Sequence, residues 1–166
     1  MENRWKRWFY ISRKSWAAQA ERKVQRILER LPMNHFTVLD DIKFKYGNID
    51  HLVIRDDGAI FMIETKSHRG KVTFDGDRLL INGSPLKRNP ISQLHRNIRW
   101  LRDKMKKRNA SSLWITAIVV FPFAVLNIRS SMKRLFPNAT ASMKSSIKQV
   151  NVVAVDDLLS FVRNYP

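Results

Sequence analysis

The sequence contains no cysteine among its 166 residues. This absence excludes disulfide bonds and thiolate metal ligands, and it is typical of a protein in the reducing cytoplasm. A long uninterrupted hydrophobic run is also absent, because Thr116, Pro122 and Asn127 interrupt the longest apolar stretch, residues 113–128, which is too short to cross a bilayer. The opening residues, MENRWKRWFYISRKSW, lack the apolar core of a signal peptide. We therefore expect a soluble, cytoplasmic protein.

Acidic residues are scarce. Only 14 Asp and Glu stand against 31 Lys and Arg, which gives a formal net charge of +17 and an isoelectric point near 10.8. Such an excess predicts attraction to polyanions, first to nucleic acid and second to an anionic membrane, and says little about the fold. The hydrophobic content of 44% is ordinary for a globular domain, and the chain is long enough to bury a core.

The charge is unevenly distributed along the chain. Residues 1–30 carry nine Lys and Arg against three acids, and residues 87–108 carry nine against Asp103 alone. Residues 31–80 are nearly balanced, with eight acids and seven Lys and Arg. This distribution predicts an acidic site with basic walls; the alternative is a pair of solvated helix faces.

Hydrophobic periodicity and turn residues predict the secondary structure. Helices are predicted over residues 15–31, 89–105 and 156–162, the last with Asp156 as its N-cap. Strands are predicted over residues 35–46, 49–54, 59–66, 71–74 and 149–155, with a buried strand inside 113–126. Residues 127–148 are serine-rich and basic, and are predicted to form a loop. This order of elements predicts an α/β (or α+β) domain with a mixed sheet.

Glu21 lies at the edge of the apolar stripe of the first predicted helix, close in angle to Ala17 and Leu28. A carboxylate at the border of a buried stripe needs a partner or a purpose. Two readings stay open at this point: a functional acid, or a rim glutamate paired with a lysine or arginine.

The turn between two predicted strands, RDDGA, fixes their expected register. It suits a three-residue hairpin loop in which Gly58 takes a left-handed conformation. Arg55 would then pair with Ala59, and the same register places Asp50 opposite Glu64, with side chains starting ~5 Å apart on one face. A two-residue loop would shift the register by one and place the two carboxylates on opposite faces.

Lys66 lies two residues after Glu64 and therefore on the same face of its strand. Two opposed carboxylates repel each other and favour a cation between them. Their oxygens suit Mg²⁺ or Mn²⁺ rather than zinc, and such a metal can activate water and neutralise charge on a phosphoryl oxygen. The lysine can orient the attacking water or stabilise the same charge. The pattern predicts phosphodiester hydrolysis; an exposed Glu–Lys cross-strand set without function is the alternative.

The segments GNIDHLVI and GAIFMIETKSHRGKV resemble the signature of the nuclease-related domain (NERD) family, a branch of the PD-(D/E)XK nuclease superfamily. The resemblance runs from about Ala18 to Phe121 and includes the helix AERKVQRIL, a Glu-x-Lys motif followed by a glycine, and NPISQ before the second helix. It implies a restriction-endonuclease-like core, a central mixed sheet with helices on either side.

The resemblance also assigns roles to five residues. It implies that Asp50 and Glu64 are the metal-binding acids and that Lys66 is the motif lysine. It matches Glu21 to the first-helix glutamate, a further metal-binding candidate, and Gln93 to the helical glutamine found in many of these nucleases. The implied cofactor is Mg²⁺ or Mn²⁺.

Several other residues are candidates for phosphate contacts, with a solvated surface position as the alternative for each. They are His68, Arg69, Lys87, Arg88, Arg96 and Arg99. The histidines have no metal-ligand spacing, and His51 is expected to point away from the Asp50 face and to serve packing or hydrogen bonding.

Residues 1–14 are predicted to form a basic, aromatic N-terminal arm, and residues 15–166 a single nuclease-like domain. The arm interleaves Trp5, Trp8, Phe9 and Tyr10 with Arg4, Lys6 and Arg7. Its expected roles are stacking on bases, lying in a membrane interface, or folding onto its own domain or a partner subunit.

The sequence predicts a metal-dependent nuclease with nucleic acid, most readily DNA, as its partner. One alternative is a nucleic-acid-binding module that keeps the fold without useful cleavage. The other is a membrane-surface or protein-interaction role for the arm. A homo-oligomer is compatible with the sequence, and a membrane is the less expected partner.

Overall fold

The computed structural model describes residues 4–45, 47–75, 78–106, 114–127, 146–147 and 150–166. The helices are α1 (Arg4–Leu28), α2 (Pro90–Lys106) and α3 (Leu158–Asn164), the last preceded by a 3-10 turn at Val155–Asp157. The strands are β1 (Phe36–Phe44), β2 (Gly47–Arg55), β3 (Ile60–Thr65), β4 (Arg69–Asp75), β5 (Arg78–Ile81), β6 (Ser84–Pro85), β7 (Ile115–Val120), β8 (Phe123–Leu126), β9 (Ser146–Ile147) and β10 (Val150–Val153).

A central six-stranded mixed sheet has the order β1-β2-β3-β7-β10-β9. Strands β1, β2 and β3 are antiparallel neighbours, whereas β7 pairs in parallel with both β3 and β10. A parallel pair needs a crossover connection, and α2 lies within the one that leads from β3 to β7. Strands β3 and β7 are buried at every position, as expected for strands covered on both faces.

The helices cover the two faces of this sheet. Helix α2 packs Leu94 against the face that carries Met62 and Val119. Helices α1 and α3 cover the opposite face, where Val24 of α1 packs in the cluster that contains Phe61. Each helix therefore buries one apolar stripe, and the sheet is the middle of three layers.

A smaller four-stranded sheet, in the order β6-β5-β4-β8, extends the α2 side of the molecule. Its residues Val72, Phe74 and Leu79 belong to the same buried cluster as Leu94. The segment that follows the motif lysine thus packs against the same core as α2.

Helix α2 begins where its sequence predicts. Pro90 occupies the first helical position, where its missing N–H costs nothing. The Asn89 side-chain oxygen accepts a hydrogen bond from the Ile91 N–H at 2.9 Å, which is the pattern of an N-cap. This cap fixes the start of α2 one turn before Gln93.

The predicted α/β class, with a mixed sheet and flanking helices, is confirmed. The assignment of Asp156 as an N-cap is wrong, because Asp156 lies within the 3-10 turn and the Leu158 N–H donates to the Val155 carbonyl instead. Asp157, which directly precedes α3, makes no side-chain cap hydrogen bond either. The chain enters α3 through backbone hydrogen bonds that take the place of a side-chain cap.

Helix α1 begins at Arg4, well before the predicted start at residue 15. The side chains of the predicted arm, and nearly all of the predicted loop over residues 127–148, lie outside the described residues. The domain boundary at residue 15 therefore stays a prediction. In the part of the chain that is described, no helix combines the length and apolar character needed to cross a membrane.

Candidate active site

The loop between β2 and β3 has the three-residue form that the sequence predicts. The Arg55 N–H donates to the Ala59 carbonyl and the Gly58 N–H donates to the Arg55 carbonyl, both at 2.9 Å. Gly58 has a φ of +87°, in the left-handed region that glycine tolerates. The Asp57 carboxylate accepts from the Ala59 N–H and from Arg55 Nε, and these bonds, led by the one from Arg55, lower the pKa of Asp57 to about 2.

The register that follows from this loop brings the two predicted metal-binding acids together. The β2–β3 ladder runs as far as His51 opposite Ile63. One step further in the same register, Asp50 lies opposite Glu64. The predicted register is confirmed, and the alternative two-residue loop is excluded.

Glu64, Lys66 and Gln93 form a closed hydrogen-bonded cluster. Glu64 is only 2% exposed. Its Oε1 accepts from Lys66 Nζ at 2.5 Å and its Oε2 accepts from Gln93 Nε2 at 2.8 Å. Lys66 Nζ also donates to Gln93 Oε1 at 3.1 Å. The Lys66 N–H bonds the Val120 carbonyl at 2.9 Å, which extends the β3–β7 pairing and fixes the base of the lysine side chain.

Asp50 is tied to the same strand by its side chain. Its Oδ2 accepts from the Thr65 N–H at 2.8 Å, and its Oδ1 accepts from Asn48 Nδ2 at 3.3 Å. Thr65 lies between the motif residues Glu64 and Lys66, so the Asp50 carboxylate is held directly beside the motif. Asp50 is 7% exposed, and a carboxylate this buried needs such donors.

Glu21 approaches the cluster from α1. It is half-buried, and the neighbouring Ala20 and Val24 are fully buried. Burial raises the pKa of Glu21, and the negative charges of Asp50 and Asp41 raise it further. Glu21 therefore interacts electrostatically with the predicted site.

Asp41 is a residue near the site that the sequence analysis missed. It lies on β1 between the residues paired with Ile49 and His51, hence across from Asp50, and its φ of 48° is in the left-handed region. Its Oδ1 accepts from Asn48 Nδ2 at 3.2 Å, so one amide bridges the Asp41 and Asp50 carboxylates. The two adjacent acids in the predicted first strand were the available signal, but the sequence did not fix the β1–β2 register.

The carboxylates of the site raise one another's pKa. Burial raises the pKa of Glu64 to about 7, with the charge of Asp50 as the second cause and Lys66 acting in opposition. Burial likewise raises the pKa of Asp50, against the hydrogen bond from the Thr65 N–H. Both shifts mean that the ionised pair is costly without a counter-charge, and that a bound cation would relieve the cost.

No three His, Cys, Asp or Glu side chains converge tightly enough to hold a metal ion within the described ranges. Mg²⁺ commonly binds through only one or two carboxylates and keeps several waters. Asp50 and Glu64 supply two carboxylates, and each carboxylate oxygen has a second lone pair beyond the hydrogen bond it accepts. The donor chemistry therefore fits a hydrated divalent ion.

A buried asparagine links α2 to the Asp50 side of the site. Asn97 is 2% exposed on the apolar face of α2, one turn after Gln93. Its Nδ2 donates to the Asn48 carbonyl at 3.0 Å, and Asn48 in turn donates to Asp50. Neither asparagine was predicted from the sequence, although a polar residue at a core position of α2 was an available signal.

His51 behaves as predicted for a packing and hydrogen-bonding residue. It is buried, and its Nδ1 lies 2.6 Å from Asp40 Oδ1 on β1. It alternates with Asp50 along β2 and so points to the other face.

Two of the predicted phosphate-binding residues line a groove that reaches the cluster. The groove, of about 390 Å³, is lined by Arg88 and Arg96 together with Asn48 and Gln93. Both arginines are exposed. This groove therefore joins the two exposed arginines to Gln93 of the cluster.

The other predicted phosphate-binding residues lie elsewhere. The Arg69 guanidinium lies 4.0 Å from the centroid of the Trp16 ring, so it stacks on α1, and His68 is exposed directly before it. Lys87 is exposed ahead of α2, and Arg99 lines a separate groove. The predicted set is therefore divided among several surfaces rather than gathered in one.

Comparisons with known proteins bear on this site. The model of the family described as nuclease-related domain matches residues 16–122, which span every candidate site residue named above. Among solved structures, a repair endonuclease from Pyrococcus abyssi is similar with a TM-score of 0.37 and 16% identity, over 70% of this chain and 42% of that chain. The chain thus spans less than half of that endonuclease. Comparison with curated proteins gives no match.

Proposed function

Because the chain belongs to the nuclease-related domain family, we propose that it is a Mg²⁺- or Mn²⁺-dependent nuclease that hydrolyses phosphodiester bonds in DNA. The observation that carries the proposal is the position of Lys66, which Glu64 and Gln93 hold beside the buried carboxylate of Asp50. A lysine fixed next to two carboxylates suits a reaction in which negative charge develops on a phosphoryl oxygen.

Asp50 and Glu64 would hold the metal, with Glu21 assisting through water from α1. When bound, the metal neutralises phosphoryl charge and lowers the pKa of water. The raised pKa values of these three carboxyls support this role, because burial, the largest cause of each shift, makes the ionised form costly and a bound cation would offset that cost.

Lys66 would donate to the reacting phosphate or to the attacking water. An ammonium has three N–H donors, and Glu64 and Gln93 accept two of them, so one donor is left for the substrate. Gln93 is a positioning residue, because its amide donates to Glu64 while its carbonyl accepts from Lys66. It keeps Glu64 and Lys66 at a fixed separation.

The groove lined by Arg88 and Arg96 would receive the phosphate backbone on one side of the scissile bond. Phosphate contacts position a strand without selecting its sequence. DNA is the proposed substrate, and RNA is the comparison that a cleavage assay must include. A cytoplasmic location and a homo-oligomer remain predictions.

The test is cleavage of end-labelled single-stranded, double-stranded and branched DNA, and of RNA, with Mg²⁺, Mn²⁺ or chelator. We expect metal-dependent cleavage by the wild type and a loss of at least ~100-fold in rate for Lys66→Ala. DNA affinity should change little, since one lysine among 31 basic residues contributes little to binding. Lys104→Ala, an exposed lysine near the far end of α2, is the matched control.

Near-wild-type cleavage by Lys66→Ala would remove Lys66 from the chemistry. Cleavage that survives chelation in the wild type would overturn the metal dependence. Equal losses in Lys66→Ala and Lys104→Ala would point to a general electrostatic effect instead of a reaction at Lys66.

A second candidate is a nucleic-acid-binding module without cleavage. The observation in its favour is the close Lys66–Glu64 pair, together with the absence of a ready three-carboxylate group in the described chain. Calorimetric titration with Mg²⁺ and Mn²⁺ separates the two candidates. Metal-independent DNA binding with no heat of metal binding would favour the module.

A further inference from the structure

A second groove, which we call the distal groove, extends along α2 from His95 to Lys106, toward the end of the helix that is far from Gln93. It has a volume of about 590 Å³, and its lining includes Arg99, Arg102, Lys106, Trp114 and Asn151. It is bordered by the first residues of β7, whereas the acids lie near the other end of the parallel strand β3. The distal groove is therefore separate from the candidate active site.

One face of α2 gives this groove a positive charge. Arg99, Arg102 and Lys106 follow one another at spacings of three and four residues, so their side chains lie on the same side of the helix. Among the described residues that line the groove, Asp103 is the one acid. A concave surface with this excess of cations raises the local concentration of a polyanion.

Trp114 supplies an aromatic surface at the rim of the groove. Trp114 is 71% exposed, and none of the close ring pairs among the described aromatic residues includes it. An exposed indole beside cations is the combination on which single-stranded nucleic acids stack their bases. A base inside a duplex is covered on both faces and cannot use such a surface.

We propose that the distal groove binds single-stranded nucleic acid, with an unpaired base stacked on Trp114 and phosphates contacting Arg99, Arg102 and Lys106. The site rests on the proposed function only in taking nucleic acid as the partner. From Gln93 to Lys106 the axis of α2 rises about 20 Å. A strand of several nucleotides could therefore contact both ends of α2, with the groove binding the part that is not cleaved.

The test measures binding in chelator, so that its outcome does not depend on cleavage. Fluorescence anisotropy would give the affinity of the full chain for a labelled 20-nucleotide oligothymidine and for a 20-base-pair duplex. We expect Trp114→Ala to weaken oligothymidine binding about fivefold or more, because stacking on one aromatic side chain is worth at least that factor. Duplex binding should change less than about twofold, and Trp114→Phe should retain most of the affinity.

Two matched controls separate the groove from general effects. Val125→Ala removes another exposed apolar side chain, and Arg26→Glu reverses an exposed charge on α1. Arg102→Glu should weaken binding of the single strand more than Arg26→Glu does. Melting temperatures of all variants show whether the fold is intact; if Trp114→Ala unfolds, Trp114→Leu compared with Trp114→Phe replaces it.

Some outcomes would overturn the proposal. One is an effect of Arg102→Glu with none from Trp114→Ala, which would leave a plain anion-binding surface. Another is competition by polyglutamate as effective as by unlabelled oligothymidine, which would indicate an acidic protein segment. If the protein shows the expected binding pattern but never cleaves DNA, the proposed nuclease activity is rejected and the proposal for the distal groove is retained.

Discussion

The Asp50 carboxylate is buried, bonded to the Thr65 N–H, and opposed by Glu64 in the confirmed hairpin register. Glu21 and Asp41 add further negative charge nearby. Lys66 compensates only part of this charge, as the raised pKa values of Asp50 and Glu64 indicate. Without metal, the site therefore lowers the stability of the folded state.

Replacing Asp50 by asparagine should relieve that repulsion. The Asn oxygen can still accept a hydrogen bond from the Thr65 N–H. The metal-free Asp50→Asn protein should therefore melt at the wild-type temperature or above it, with a free energy of unfolding that is higher by about 1 kcal/mol or less. Millimolar Mg²⁺ or Mn²⁺ should stabilise the wild type, since a ligand of the folded state shifts the unfolding equilibrium, and should no longer stabilise the variant. Thermal melts with and without metal measure both effects.

Asp156→Asn, at an exposed position in the 3-10 turn before α3, is the control for this substitution. If Asp50→Asn lowers the melting temperature without metal and leaves the metal response unchanged, Asp50 is a structural hydrogen-bonding residue and the site assignment falls.

The pH dependence of stability provides a second test at the residue scale. The folded protein holds a proton on Glu64 up to a pKa of about 7, compared with 4.5 for an ordinary glutamate. The folded state thus binds more protons at Glu64 than the unfolded state does between these values. The contribution of Glu64 to the free energy of unfolding is therefore fully present below about pH 4.5 and is lost as pH rises through 7. The raised pKa values of Asp50 and Glu21 act with the same sign.

Urea unfolding in chelator at pH 5 and pH 8 should show this fall for the wild type and a shallower fall for Glu64→Gln. A free energy of unfolding that is constant, or that rises, across this window would contradict the assignment of a destabilised carboxylate cluster.

At the scale of the element, a single helix, α2, is linked by hydrogen bonds to both Glu64 and Asp50. Gln93 bonds Glu64 directly, and Asn97, one turn later, reaches Asp50 through Asn48. Leu94 on the same helix anchors it in the core. A shift of α2 along its axis would therefore disturb both carboxylates together.

Asn97→Leu should separate this positioning role from stability. Loss of the bond to Asn48 leaves a carbonyl unsatisfied and should cost about 1–3 kcal/mol. We expect kcat for DNA cleavage to fall about tenfold, as for a small displacement of catalytic groups, with KM nearly unchanged because the arginines stay in place. Steady-state kinetics measure the split.

Asn164→Leu, a surface substitution on α3, should leave both constants unchanged. An Asn97→Leu protein with normal kcat and lower stability would show that Asn97 serves the core alone.

Local patterns explain which elements were predictable. The β2–β3 loop was predicted because its glycine and aspartates specify one turn type, and that turn sets the register of Asp50 and Glu64. The β1–β2 register has no comparable signal, so Asp41 was missed. The partners of Asn97 and Gln93 depend on how α2 docks on the sheet, and a sequence does not state docking geometry.

At the scale of the whole molecule, the net charge of +17 predicts how binding responds to salt. The logarithm of DNA affinity should fall linearly with the logarithm of salt concentration, with a slope near −0.9 for each phosphate contacted on a duplex. Arg96→Glu should reduce the magnitude of the slope by about one and weaken all sequences alike. Titrations at several salt concentrations measure this.

An exposed arginine outside the grooves, Arg26, provides the control, and Arg26→Glu should preserve the slope. Affinity that is constant from low to high salt would contradict phosphate binding altogether. The overall charge is read directly from the sequence, but the location of the basic residues on the folded surface is not. The predicted phosphate-binding residues lie on different surfaces because of how α2 and β4 pack in the folded protein.

The parallel pairing of β3 with β7 has a consequence for the order of events in folding. Glu21, Asp50, Glu64, Lys66 and Gln93 all precede β7 in the chain, yet Lys66 is anchored through the Val120 carbonyl. A ribosome releases all five candidate site residues before it releases the strand that aligns them. Non-local parallel pairing is slow to form, so a nascent chain passes through a stage in which the groups are present but unaligned. Such a delay would leave the proposed active site unassembled until β7 has been synthesised and has paired with β3.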